Sequence, residues 1–166
     1  MVIEVTRGDI TVEPVDAIVN AANEGLRRGG GVCGAIFAAA GPELDAACAA
    51  IGHCATGDAV ATPGFALPAR WIVHTVGPVW HGGNHGEPTL LASCYRRSVA
   101  VARDAGARSL AFPAISTGIF GYPQRPAAEV AVATLREPES RLDLVRLVAF
   151  DDATLATYEE LLADPR

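Results

Sequence analysis

The chain has 166 residues, half of them hydrophobic, with a formal net charge of -6 and a sequence pI of about 5.1. That is the size of a single domain over residues 1–166 with a real core, and it excludes a disordered chain. The acidic balance argues against a general nucleic-acid surface, and no apolar run approaches the roughly 20 residues of a membrane span. No basic region with an apolar run opens the chain, so a soluble cytoplasmic protein is expected. All thirteen basic residues are arginine. A Walker-type phosphate lysine or a Schiff-base lysine is therefore excluded, and any phosphate must be held mainly by backbone amides.

Apolar and helical stretches alternate to the end of the chain. Strands are predicted at Val2–Thr6 and Val15–Val19, then helices at Val32–Ala40 and Pro42–Ile51. Strands follow at Ala59–Ala66 and Trp71–Val76, then a helix at Pro88–Ala105 and a strand at Ser109–Pro113. A helix at Pro126–Arg136, a strand at Leu142–Phe150 and a helix at Ala153–Ala163 complete the series. Several helices open on proline or after an acidic residue. In Pro88–Ala105, Leu90, Leu91, Cys94, Tyr95, Val99 and Ala102 recur at helical spacing, with Arg96, Arg97, Arg103 and Asp104 on the other side. The strands LAFPA and LVRLVAF are nearly continuous apolar runs, as a sheet covered on both faces requires. The expectation is a three-layer α/β/α fold around a mixed, largely parallel sheet.

Sites in open α/β sheets form outside the carboxyl ends of strands. Four loops lie there: Arg7–Thr11, Asn20–Gly34, Ala114–Gln124 and Phe150–Asp152. The second, NAANEGLRRGGGVCG, joins an apolar strand through Gly29, Gly30 and Gly31 directly to a helix start. Glycine admits a close backbone approach, and a helix N-terminus offers unpaired N–H groups and a positive dipole end. Gly29-x-Gly31-x-x-Gly34 matches the dinucleotide fingerprint only formally, because no second strand follows within the required βαβ unit. The third loop, AISTGIFGYP, offers the successive amides of Ser116, Thr117, Gly118, Ile119 and Phe120 as a second anion cradle. Two such cradles suit a diphosphate. Phe120 and Tyr122 add flat apolar surface for a sugar or base, or else Tyr122 is structural.

Asp9 either accepts from an exocyclic amine or caps a turn. Phe150 either stacks on a base or belongs to the core. Cys33, Cys48, Cys54 and Cys94 form no CxxC pair and are expected to be reduced. His81 and His85, in WHGGNHGE, read as solvated loop histidines or, less simply, as zinc ligands; no metal or other cofactor is expected.

Taken together, RGDIT, VDAIVNAAN, GGGV-x-GAI, AAGPEL, the TG of Thr56–Gly57, IVHTVGPVW and FPAISTGIFGYP resemble a macrodomain over nearly the whole chain, in order and in spacing. It is most similar to the MacroD-type and related bacterial branches. The resemblance implies an ADP-ribose cleft at the strand ends, with ADP-ribose and mono-ADP-ribosylated proteins as partners. Asp9 would bind the adenine amine with help from the Ile10 amide, and Phe150 would flank the adenine. Gly30, Gly31 and Val32 would wrap one side of the diphosphate and Ser116 to Phe120 the other. Asn23 would hydrogen-bond the distal ribose, with Phe120 against that sugar, while Asn20 would brace the loop from within.

One position departs from the family's pattern. MacroD-type hydrolases usually carry Asp where this chain has Cys33, and the His and Arg that commonly follow are Phe37 and Ala38. Cys33 is small apolar filler, a thiolate acting as base or nucleophile at a helix N-terminus, or a redox sensor. The expected activity is hydrolysis of mono-ADP-ribose from proteins, with O-acetyl-ADP-ribose as a further substrate, through Asn23 and a phosphate-held water. The alternative is a reader module that binds ADP-ribose without turnover.

Overall fold

The computed structural model describes residues 1–139 and 141–166. Its strands are β1 (Val2–Arg7), β2 (Ala17–Ala21), β3 (Ala59–Pro63), β4 (Trp71–Thr75), β5 (Ser109–Phe112) and β6 (Leu144–Ala149). Its helices are α1 (Gly31–Ala40), α2 (Glu43–Ile51), α3 (Glu87–Asp104), α4 (Gln124–Leu135) and α5 (Asp152–Ala163), with a short 3-10 turn at Ile10–Val12. The strands form one sheet in the order β1-β6-β5-β2-β4-β3. Only β3 against β4 is antiparallel; every other neighbour pair is parallel. The expected mixed, mostly parallel sheet is the one that forms.

The period-2 alternation of the strands divides the core in two. Val19, Val73, Leu110, Phe112, Val145 and Leu147 point into one apolar cluster, completed by α3, α4 and α5. Ile18, Ile72, Ala111 and Val148 point into the other, completed by α1 and α2. Helices thus cover both faces, which is why the central strands carry so few polar residues. In α3, Leu91, Cys94, Tyr95, Val99 and Ala102 of the predicted stripe are buried, Leu90 is only partly so, and Ser98 joins them. No single helix among the described residues is long and apolar enough to cross a membrane.

Several boundaries differ from the sequence reading, for local reasons. Val15 lies outside β2, whereas Asn20 and Ala21 lie within it. Asn20 pairs with His74 of β4 in the ladder, so it is a buried strand residue and not the first residue of a loop. β3 ends at Pro63 because the chain turns at Gly64, whose N–H donates to the Arg70 carbonyl at 2.8 Å. β6 ends at Ala149, which leaves Phe150 beyond the sheet.

Candidate functional site

The carboxyl ends of β1, β6, β5 and β2 share one edge of the sheet, and the loops that leave them enclose a cleft of about 1310 Å³. Every residue assigned to the site from the sequence lines it: Asp9, Ile10, Asn23, Gly30, Gly31, Val32, Cys33, Ser116 to Phe120, and Phe150. The two most exposed large apolar side chains of the described residues, Ile119 at 93% and Phe150 at 89%, stand on its wall. Bare apolar groups of that size on a cleft mark a contact surface. Phe150 is therefore not core.

Both predicted cradles are present. α1 begins at Gly31, with Gly30 as its N-cap residue, so the first-turn amides of a helix open onto the cleft. Gly31 has φ +57, and a Cβ on Gly34 would sit 2.6 Å from the Gly29 carbonyl oxygen. Those two positions require glycine: one for its left-handed backbone, the other for the close passage of the loop over the helix. Across the cleft, the N–H groups of residues 116–120 find no acceptor among the described residues, although this loop is otherwise tied down. The Tyr122 N–H donates to the Ser116 carbonyl at 2.9 Å, and Thr117 Oγ1 donates to the Ala114 carbonyl at 3.1 Å. Ser116 holds φ +67, an uncommon conformation for a side-chain-bearing residue. Its buried hydroxyl also lacks a partner among the described residues.

At one end of the cleft Asp9 caps the 3-10 turn. Its Oδ1 accepts from the Thr11 hydroxyl at 2.6 Å and from the Thr11 N–H at 2.9 Å. Those two bonds hold the carboxyl below its usual pKa. Oδ2 and the Ile10 N–H remain without partners among the described residues. The two readings of Asp9 are compatible: one oxygen shapes the turn and the other stays free beside the cleft.

At the other end, the Asn23 amide is held twice by the loop that it starts. Its Oδ1 accepts from the Arg27 N–H at 3.0 Å, and its Nδ2 donates to the Arg27 carbonyl at 2.8 Å. The Cys33 thiol donates to that same carbonyl at 3.8 Å. Cys33 is buried in the α1–α2 core cluster while its edge lines the cleft.

Behind it stands a buried polar chain. Asn20 Nδ2 meets Cys33 Sγ at 3.7 Å and His74 Nδ1 at 3.0 Å. With Nδ1 accepting from Asn20, the imidazole proton lies on Nε2, which donates to Thr62 Oγ1 at 2.9 Å; that hydroxyl donates in turn to the Pro63 carbonyl at 3.2 Å. Burial pushes the His74 pKa down to about 4, so the ring is neutral and suited to this chain. Asn20 supports the start of α1 from beneath.

Two contributors, Glu87 and Trp80, carry no role that the sequence alone assigns. Glu87, at the start of α3, is buried, and its carboxylate accepts from the N–H groups of His85 at 2.7 Å, His81 at 2.8 Å and Gly83 at 2.9 Å. Burial alone would raise its pKa, but backbone donors including those three bring it down to about 2. The loop folded around it presents Trp80, whose N–H donates to the Phe120 carbonyl at 2.8 Å and whose ring packs on Tyr122 at 4.6 Å. Tyr122 is thus buried structure and does not line the cleft, so of its two readings the structural one holds. The imidazoles of His81 and His85 stand 6.0 Å apart, edge to face. Among the described residues no group of three or more His, Cys, Asp or Glu is placed to hold a metal. The four cysteines are all free and buried.

This geometry defines a class: an α/β protein whose sheet edge carries two facing amide cradles, with a carboxylate at one end and a fixed amide at the other. The Macro domain family profile matches residues 19–131, and the chain belongs to that family. It is 52% identical to an O-acetyl-ADP-ribose deacetylase of Klebsiella pneumoniae, over 96% of this chain and 95% of that protein. Its fold is similar to that of the Oceanobacillus iheyensis macrodomain with ADP, at a TM-score of 0.92 and 41% identity over 97% of this chain and 90% of that one. A Trypanosoma brucei macrodomain in complex with ADP-ribose gives a TM-score of 0.88 and 41% identity, over 96% of this chain and 68% of that one.

Proposed function

We propose that the cleft binds ADP-ribose and that the protein hydrolyses mono-ADP-ribose from modified proteins, with O-acetyl-ADP-ribose as a substrate of the same pocket. The observation that carries this reading is the pair of amide rows, at Gly30 to Cys33 and at Ser116 to Phe120, that find no acceptor among the described residues and line one cleft in a chain without lysine. They match a diphosphate in charge and in donor number. The likeness to macrodomains described with ADP and ADP-ribose supports the ligand, and the likeness to a deacetylase supports turnover.

In this reading the adenine amine donates to Asp9 Oδ2 and its ring rests on Phe150. The distal ribose lies against Phe120 and is oriented by the second Nδ2 hydrogen of Asn23, the one Arg27 leaves free. A diphosphate oxygen of the substrate holds the attacking water. The water oxygen bonds to the anomeric carbon as the bond from that carbon to the protein breaks. One water proton passes to the departing group or to the phosphate. No protein carboxylate stands where Cys33 is, so rate comes from positioning and is modest. We assign Cys33 a packing role, consistent with its place in the core cluster and its bonds to Asn20 and Arg27.

The second reading is a non-catalytic reader, and the same substitution at Cys33 favours it. Calorimetric titration with ADP-ribose tests the shared premise: saturable one-to-one binding is expected, and no heat at millimolar ligand removes both readings.

A further inference from the structure

Arg27 and Arg28 sit between Asn23 and the glycine cradle, and both are exposed. They are also the exception in the molecule's charge arrangement. Among the described residues the guanidinium group of every other arginine meets a carboxylate, a backbone carbonyl or an aromatic ring. Arg7 pairs with Asp152, Arg96 with Glu137, Arg97 with Asp58, Arg108 with Asp143, Arg125 with Glu160, Arg146 with Glu4 and Glu13, and Arg166 with Asp164. Arg103, Arg136 and Arg141 donate to backbone carbonyls, and Arg70 lies over the ring of Trp71. The guanidinium groups of Arg27 and Arg28 have no partner among the described residues. Glu24, the acid on their own loop, is turned away, accepting from the N–H and hydroxyl of Thr56. In a chain of net charge -6, two neighbouring free arginines form a local cationic spot against the prevailing field.

Their position gives the spot a meaning. Neither residue lines the cleft, yet the Arg27 backbone is fixed to two residues that do, Asn23 and Cys33, by the three bonds described above. The Arg27 stem lies along Gly25, about 3.7 Å from where a Cβ would stand on that residue. The Arg27 backbone is thus anchored at the Asn23 end of the cleft, and the exposed Arg28 follows it directly in the chain. At that end the group attached to the distal ribose would leave the cleft.

We propose that Arg27 and Arg28 recognise carboxylates in the polypeptide segment flanking the ADP-ribosylated residue, so that acidic flanks direct substrates to this protein. The inference rests on the ADP-ribose reading above. A guanidinium and a carboxylate match as a planar two-point pair, and two such groups suit one or two acidic side chains. They are too few for a nucleic-acid strand, whose binding draws on many phosphate contacts.

The test compares two mono-ADP-ribosylated peptides that differ only in flanking residues, glutamates in one and glutamines in the other. Affinities for the wild type and for the Arg27→Ala/Arg28→Ala variant are measured by anisotropy at about 50 mM and about 500 mM salt. The wild type should prefer the acidic peptide about three- to tenfold at low salt and lose most of that preference at high salt. The variant should show no preference at either salt. Because the readout is a ratio of two peptides, any general change in the cleft cancels. An Arg27→Glu/Arg28→Glu variant should reverse the ratio for a peptide with arginine flanks. Equal binding of both peptides by the wild type overturns the inference while leaving the ADP-ribose reading intact. Failure of both peptides and of free ADP-ribose to bind overturns that reading instead. Tighter binding of an oligonucleotide carrying ADP-ribose on a terminal phosphate, lost in the alanine variant, would overturn the acidic-polypeptide assignment in favour of phosphate.

Discussion

The side-chain amide of Asn23 and the backbone of Arg27 hold each other through two hydrogen bonds, at 2.8 and 3.0 Å. The amide can neither flip nor swing without breaking both. One residue thereby closes the loop and presents a fixed donor to the cleft. Preorganisation of this kind places the distal ribose without entropy lost at the moment of reaction.

Asn23→Ala removes both bonds and the free donor, and Asn23→Asp keeps Oδ1 but sets a carboxylate oxygen against the Arg27 carbonyl. Both variants should lower turnover about 100-fold or more, the cost of a misplaced reacting group. Affinity for ADP-ribose should fall about tenfold or less, as for one hydrogen bond. Steady-state kinetics alongside calorimetry separates the two effects; equal losses in rate and affinity would contradict a positioning role.

Cys33→Ala should keep ADP-ribose binding and most of the activity, with a stability cost of about 1 kcal/mol from the small cavity left. Complete loss of turnover in a folded variant would instead make the thiol a participant in the chemistry.

Asp9→Ala should weaken ADP-ribose binding by about 1–3 kcal/mol, the range for a hydrogen bond to a charged group. Adenosine diphosphate should lose as much, because the contact lies at the adenine end. Ribose 5-phosphate, which lacks the base, should be indifferent to the substitution. Titration of all three ligands checks this.

Acid should destabilise the protein in two steps with known signs. His74 has a folded pKa of about 4 against an ordinary 6.5, so stability present above pH 6.5 is lost as pH falls towards 4. Glu87 has a folded pKa of about 2 against 4.5, so its contribution, complete above pH 4.5, is lost as pH falls towards 2. Thermal melts of Glu87→Gln should lie below wild type at pH 7 and converge with it towards pH 2. The same variant should weaken ADP-ribose binding, since the loop on Glu87 carries Trp80 to the Phe120 carbonyl. A constant gap between the two melting curves across this range would contradict the assignment.

The extent to which the site is legible in the sequence follows from distance along the chain. A strand, three glycines and a helix start are neighbours in sequence, so the Gly29–Gly34 cradle is read directly, as is the amide row at Ser116–Phe120. Asp9 and Phe150 each carried two readings, because only the fold shows that the turn leaves Oδ2 free and that β6 stops one residue before Phe150. Tyr122 likewise carried two readings, because proximity to Phe120 in sequence says nothing about the turn at Gly121, φ +74, beyond which Tyr122 packs against Trp80. The Glu87 brace was invisible for the same reason. An acidic residue beginning a helix reads as a dipole partner, and only the folded loop reveals the backbone donors around it.

Release of ADP-ribose tests hydrolysis at the distal ribose most directly. Purified protein should be incubated with mono-ADP-ribosylated substrates of carboxylate, serine and arginine linkage and with O-acetyl-ADP-ribose, and the products resolved by chromatography. Slow release from at least one substrate, abolished by Asn23→Ala, is the expected result. No release from any of them, with ADP-ribose binding intact, would contradict it and leave a reader module.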